Sequence, residues 1–376
     1  MQLHLHPTQP EALTLTIDGF LVRWSLATNP ATKLNQRHFS FADLILGWGQ
    51  VPMRGGITAA PDGRFFALAH GTDGGLVDGP HQLELCRWTD LSSVQTFTLP
   101  GKKVWGEKSI TSLASSPDGR WLVVAQEIPE RLFLLDRISG EVISEHYPDG
   151  ERLSGFTFDP TSTFVAGITG VGDSRPVLKV WRLDPAEHFI PPPLEQFIFP
   201  HGAQRSAPDQ VYGKMALSML HWNLDVPQYY NGCDGVGLAV FSPDSHKVVF
   251  CLPVDRTTCM LTAYEVISGR RLWCTYKEGG SLSPFVFTPD GKALICSNVS
   301  SYWDGGELKK WRFPEFVSSG SELLVYRISD GEMVQRLPSG RSSPIDTLAF
   351  DHDGTTLWLL TDEKLVSYQL PSAYTT

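Results

Sequence analysis

The chain has 376 residues, 41% hydrophobic and 11% aromatic, with 34 Gly and 27 Pro; this is enough apolar material for a large interior, punctuated as many short strands and tight turns require. Its 31 basic and 41 acidic residues leave a net charge of −10, which repels phosphate backbones and argues against nucleic acid as a primary partner. No stretch approaches a membrane span, and the N-terminus lacks the basic and long apolar regions of a secretory leader, so a cytoplasmic protein with no membrane partner is expected.

Residues 2–6 read as a first strand, followed by His6-Pro7-Thr8-Gln9 as a degenerate turn. His4 and His6 share a face of this strand, but a third metal ligand is not visible nearby, so structural histidines are expected. Asp18-Gly19-Phe20-Leu21-Val22-Arg23-Trp24 then forms an alternating strand with one aromatic. From there one pattern recurs: a short apolar strand, a Pro-Asp-Gly type of turn, and a second apolar strand. Ala60-Pro61-Asp62-Gly63, Ser116-Pro117-Asp118-Gly119, Asp159-Pro160, Ser242-Pro243-Asp244-Ser245, Thr288-Pro289-Asp290-Gly291 and Asp351-His352-Asp353-Gly354 are its turns. Pro presets φ, Asp bonds its own backbone, and Gly accepts the positive φ that a hairpin demands. A third strand follows each pair, with Trp24, Trp88, Leu135, Trp181, Tyr264, Tyr326 and Tyr368 at equivalent places. Gly-containing turns such as Ser139-Gly140-Glu141 and Asp330-Gly331-Glu332 lead to a fourth strand. Seven third strands mean seven units, none able to bury both its faces alone. Such an array closes into a ring: the predicted fold is all-β, a seven-bladed β-propeller with four-stranded antiparallel blades, one domain over residues 1–376. The last blade shows three strands. Residues 2–6 either complete it or serve as the inner strand of the first.

The turn motif, together with third strands such as Leu178-Lys179-Val180-Trp181, resembles the WD-repeat superfamily over nearly the whole chain. No copy ends its third strand in a Trp-Asp pair, and none has a Gly-His pair before its first strand, so the resemblance does not carry the family's buried Asp-His-Ser-Trp network. Ala263-Tyr264-Glu265-Val266-Ile267-Ser268-Gly269-Arg270-Arg271-Leu272-Trp273 resembles the blade-docking motif of quinoprotein-type propellers. That resemblance implies Trp273 packed on a neighbouring blade, with no quinone bound.

In a propeller, the connections between strands two and three and between blades lie on one face. The long segments sort to that face: 40–55, 70–81, 101–108, 169–176, an insertion at about 200–235 and another at 297–321. The opposite face keeps short turns, apart from the Pro191-Pro192-Pro193 stretch. Loops on a rigid scaffold carry recognition. Trp48, Trp105, Trp222, Tyr229, Tyr230, Tyr302, Trp303, Trp311, Phe313 and Phe316 fall in these segments, and aromatics are enriched at interaction hot spots. The alternative is that they pack the loops onto the propeller. Val211, Met215, Met219 and Trp222 stand at helical spacing, which predicts a short helix over the mouth of the ring or, less conservatively, a partner-binding helix. Lys309, Lys310 and Arg312 are read as solvated, as are Asp73 and Asp78, whose spacing does not fit a calcium loop.

Six cysteines form no C-x-x-C pair and no zinc spacing. Cys251 and Cys259 end one strand and begin the next, so they could face each other; a cytosolic compartment opposes a disulfide. No G-x-S-x-G, G-x-x-x-x-G-K-S/T or H-E-x-x-H motif is present. The sequence thus points to a non-catalytic platform, without cofactor or metal, that binds a protein or peptide on the long-loop face. The alternative is a propeller hydrolase or lactonase that gathers carboxylates and a metal at the channel mouth.

Overall fold

A computed structural model describes residues 2–15, 20–38, 57–70, 82–99, 108–128, 131–146, 153–169, 177–183, 217–222, 238–253, 258–278, 281–301, 318–341, 345–351, 353–361 and 364–371. They form seven antiparallel sheets in chain order. Blade 1 holds β1 (Gln2–Leu5), β2 (Glu11–Leu15), β3 (Phe20–Ser25) and β4 (Thr32–His38). Blade 2 holds β5 (Ile57–Ala59), β6 (Phe65–His70), β7 (Gln82–Arg87) and β8 (Ser93–Thr98). Blade 3 holds β9 (Lys108–Ser115), β10 (Trp121–Ile128), β11 (Arg131–Asp136) and β12 (Val142–His146). Blade 4 holds β13 (Leu153–Phe158), β14 (Phe164–Thr169), β15 (Val177–Leu183) and β16 (Leu217–Trp222). Blade 5 holds β17 (Leu238–Phe241), β18 (Lys247–Pro253), β19 (Thr258–Glu265) and β20 (Arg271–Glu278). Blade 6 holds β21 (Ser281–Phe287), β22 (Ala293–Ser301), β23 (Ser318–Arg327) and β24 (Met333–Arg341). Blade 7 has three strands, β25 (Thr347–Phe350), β26 (Leu357–Thr361) and β27 (Lys364–Tyr368). Each innermost strand contacts the next, and β25 contacts β1, so the ring is closed.

The turns explain why this sequence makes hairpins at these places. Their first residues, His6, Ala60, Ser116, Asp159, Ser242, Thr288 and Asp351, each donate a backbone N–H to the carbonyl five residues on. Where that residue carries a side-chain acceptor, it closes the loop a second time. Ser116 Oγ accepts the Trp121 N–H at 2.8 Å, and Thr288 Oγ1 accepts the Ala293 N–H at 3.0 Å. His6 does the same job with an imidazole: its Nδ1 accepts the N–H groups of Thr8 and Gln9. In the six turns after that of His6 the fourth position has positive φ, whether it is Gly63, Gly119, Gly291 and Gly354 or the serines Ser162 and Ser245.

One register runs through all blades. The residues opposite the second-strand position six beyond each turn's first residue are Trp24, Cys86, Leu135, Trp181, Tyr264, Tyr326 and Tyr368. Blade 2 therefore differs from the expected alignment. Cys86 occupies the equivalent place, and Trp88 lies beyond the strand, where its indole N–H reaches Glu11 of blade 1 at 2.9 Å. In blade 1 Trp24 Nε1 donates to Thr14 Oγ1 at 2.8 Å, tying the third strand to the second, whereas the buried Trp181 Nε1 has no such partner among the described residues.

The core is not central but lies in the seams. Among the described residues, seven apolar clusters each span two adjacent blades, the last joining Leu3, Ala12, Val22, Trp24 and Ala31 of blade 1 to Trp358, Leu360 and Leu365 of blade 7. Both faces of every middle strand are thus covered. The inner ring is also stitched by hydroxyls: Thr58 Oγ1 accepts the Ser115 N–H and Ser112 Oγ accepts the Phe156 N–H.

Two further expectations need correction. Residues 217–222 are not helical. They form β16, paired from Leu183↔Leu217 to Leu178↔Trp222, because the open edge of β15 needs backbone partners that a helix cannot supply. Trp222 is accordingly a strand residue, the long interblade stretch shrinks to 223–237, and the 184–216 connection leaves from the short-turn face. In blade 6 the strands extend further than expected, so the insertion is 302–317 and not 297–321. Of the two placements open for the N-terminal strand, residues 2–5 take the inner position of blade 1 and do not complete blade 7. The outer edge of β27 is instead engaged by the turn before β4: the Ala31 N–H donates to Leu365 O at 2.9 Å and the Ser367 N–H to Asn29 Oδ1 at 3.2 Å. Blade 7 therefore has three strands among the described residues, as its sequence indicates.

Candidate interaction face

Strand direction separates the two faces. The turns from first to second strand and, outside blade 4, from third to fourth are tight and lie on one face. The connections 39–56, 71–81, 100–107, 223–237 and 302–317 leave from the other. Trp48, Trp105, Tyr229, Tyr230, Tyr302, Trp303, Trp311, Phe313 and Phe316 fall within these connections and lie outside the described residues, as do Asp73, Asp78, Lys309, Lys310 and Arg312. Of the predicted partner-binding set only the backbone of Trp222 is placed, at the end of β16 on that same face.

The strand ends on this face hold polar residues that the sequence reading did not single out. In blade 3, Gln126 is fully buried opposite Arg131, the first residue of β11, and Arg131 pairs with Glu145 at 3.4 Å. In blade 4, Lys179 is only 3% exposed, two residues in from the start of β15. In blade 6, the buried Asn298 donates to Glu322 Oε2 at 3.5 Å, and Arg336 reaches the same oxygen at 3.3 Å. Burying such groups is costly unless they are satisfied, so they recur where blades must be both packed and polar. A signal was available. In a propeller both faces of a middle strand are covered, so the Lys of Leu178-Lys179-Val180 is buried whichever way it points.

The seam between blades 1 and 2 carries several polar contacts. Glu11 holds Arg23 through two oxygens at 2.6 and 2.9 Å and also accepts the Trp88 indole N–H. Burial opposes the Glu11 charge, yet the Arg23 and Trp88 bonds hold its carboxyl below the usual range. Arg37 bridges to Glu84 at 3.2 Å and to Leu91 O at 3.0 Å. The Cys86 thiol, buried beside Glu84, is pushed up to about 12 and behaves as a neutral apolar group. His6 sits against the edge of Trp88 and directs Nε2 at Gly63 O, 2.9 Å away. With Nδ1 accepting two N–H groups, the Nε2–H tautomer is assigned, and both ring nitrogens hold the turn. Among the described residues no three His, Cys, Asp or Glu side chains converge in a way that would hold a metal ion.

His4, on the same face of β1, gives a pH-dependent prediction. Burial depresses its imidazole from the ordinary 6.5 to about 4, against a hydrogen bond with the Ile57 backbone that pulls the other way. Above pH 6.5 the ring is neutral in both folded and unfolded chains. As the pH falls, the unfolded chain takes up a proton that the folded chain refuses until about pH 4, so stability drops by about 2 kcal/mol between pH 7.5 and pH 5. Carboxylates titrate mostly below this window. Urea melts at the two pH values should show the loss in the native chain and a clearly smaller one in His4→Gln; equal losses would disprove the assignment.

No protein-family model matches the chain, and no curated protein matches it in sequence. Among solved structures, 1269 chains match. One is Kuenenia stuttgartiensis hydrazine synthase, with a TM-score of 0.56 and 14% identity over 84% of this chain and 76% of that one. A likeness at that identity establishes a shared β-propeller architecture.

Proposed function

We propose that the chain is a non-catalytic, WD-repeat-like interaction platform of the cytoplasm that binds a protein or peptide on the face from which the long connections leave. The observation that supports this reading is the unequal length of the connections. With the 184–216 exception, one face is made of hydrogen-bonded turns, while the other gives rise to five connections of 8 to 18 residues, counted between the described segments. Recognition gathers on such loops because the scaffold holds them while leaving their sequence free. The 302–317 connection combines Tyr302, Trp303, Trp311, Phe313 and Phe316 with Lys309, Lys310 and Arg312. That combination suits an acidic or aromatic partner surface through desolvated packing and cation–π contact. The hydrazine synthase likeness brings no chemistry to this chain.

Replacing Trp303 and Trp311 with Ala should weaken binding of a captured partner by about tenfold or more, as hot-spot losses of about 2 kcal/mol imply. The melting temperature should barely change, because the connection lies between strands and not within them. Calorimetry and binding on one protein batch decide the matter. A lowered melting temperature with unchanged binding means that these rings pack on the propeller, and the reading fails.

A further inference from the structure

The seam between blades 5 and 6 buries three thiols in one apolar cluster, Cys251 of β18, Cys259 of β19 and Cys296 of β22, together with Tyr326. The register explains how two of them meet. Cys251 lies opposite Leu261 and Cys259 opposite Pro253, so the two cysteines are diagonal neighbours on one face of the blade. The two thiols interact with each other, both are free, and Cys259 Sγ also reaches the Lys277 carbonyl at 3.9 Å. Two further groups face the pair. The backbone of Leu282, on the inner strand of blade 6, hydrogen-bonds to the thiols, and Lys277 stands directly across from Cys259 on β20. A second thiol, a backbone donor and the charge of Lys277 thus act on one sulfur. The Cys251 thiol donating to it, then Leu282 and Lys277, hold Cys259 below the ordinary thiol range, while Cys251 is pushed up by the same bond and by burial. An asymmetric pair of this kind divides into an attacking and a resolving thiol.

We propose that Cys259 and Cys251 form a redox-active dithiol that closes to a reversible disulfide when the protein meets a low-molecular-weight disulfide as oxidant. The Cys259 thiolate attacks one sulfur of the oxidant, breaking its S–S bond and releasing one thiolate. Cys251 then attacks the Cys259 sulfur of the mixed disulfide, displacing the second thiolate, which takes up the Cys251 proton. Two electrons pass from the dithiol to the oxidant, which leaves as two thiols. Diagonal cross-strand neighbours have Cα atoms about 7–8 Å apart, and a disulfide wants roughly 4.4–6.8 Å. Closure therefore draws β18 and β19 together and leaves a strained, easily reduced bond, the kind that switches and does not merely staple. Cys259 is the second residue of β19, so fraying of that strand end exposes it to the oxidant.

The test uses the full chain under native conditions with oxidised glutathione, followed by denaturing alkylation and peptide mapping by mass spectrometry. The wild type should lose two of its six thiols together, yield a Cys251–Cys259 linked peptide, and recover both thiols with dithiothreitol. Cys251→Ala should stop at one glutathione on Cys259, and Cys259→Ala should leave Cys251 reduced. Retention of all six thiols, or a link between any other pair, overturns the proposal. The wild-type map alone decides this if either variant fails to fold.

Discussion

Deletion of residues 344–376 is expected to abolish soluble, cooperatively folded protein. Blade 7 is the joint of the ring. On one side Leu348, Leu357, Leu359 and Val366 pack on Ile295, Leu323, Val325 and Leu337 of blade 6; on the other Trp358, Leu360 and Leu365 pack on Leu3, Val22 and Trp24 of blade 1. The deletion also removes the bonds from Ala31 to Leu365 and from Tyr368 Oη to Pro338 O. Seven large apolar side chains on the remaining blades would be left in water at roughly 1.5–3 kcal/mol each, a sum comparable to or larger than the whole stability of a typical domain, about 5–15 kcal/mol. The exposed sheet faces would then recruit other chains. Solubility and thermal melting of the truncated chain check this. A cooperative transition at the parental temperature would mean that the ring does not depend on its last joint.

Trp273→Ala is expected to cost about 3–5 kcal/mol, the range for truncating a large buried aromatic. Trp273 ends the quinoprotein-like motif on β20 and crosses into blade 6. Its indole N–H donates to Ile328 O at 2.6 Å, and its ring lies so close to Gly331 that a Cβ there would come within 2.5 Å of Cε3. Gly331 also has φ of +74°, a second reason that only glycine fits. Gly331→Ala should therefore destabilise by about 2 kcal/mol or more. The two effects share one contact, so they should not add: in the Trp273→Ala background only the backbone strain of Gly331→Ala remains. Chemical denaturation of both single variants and the double variant measures the coupling. Additive losses would show that the ring and the glycine do not meet. The same device recurs between blades 2 and 3, where Phe97 lies against Gly140.

The repeat was legible because its signals are local. A positive-φ turn residue, an Asp that bonds the backbone two residues on and two flanking apolar runs are written within about ten residues, and each did what local chemistry requires. The Trp273 docking was legible for the same reason, since its motif is a single contiguous segment. Where a signal was weaker, tertiary structure overrode it. Val211, Met215, Met219 and Trp222 read as one face of a helix, yet Met219 and Trp222 belong to β16, because the unpaired edge of β15 was invisible in the spacing. Trp88 reads as the third-strand aromatic because Cys86, the residue in register, is small.

Taken by itself, the amino-acid sequence determined the number of blades, the order of strands within them and the turns that set their register, since these depend on contacts between neighbours in the chain. Only the tertiary structure decided which groups meet across the seams. The clasp of Asn29 and Ala31 on β27, the Glu11–Trp88 bond and the joining of the Cys251 and Cys259 thiols with Leu282 all arise from how blades pack on one another. Those contacts are set by the closure of the ring, a condition on the whole chain that no local stretch encodes.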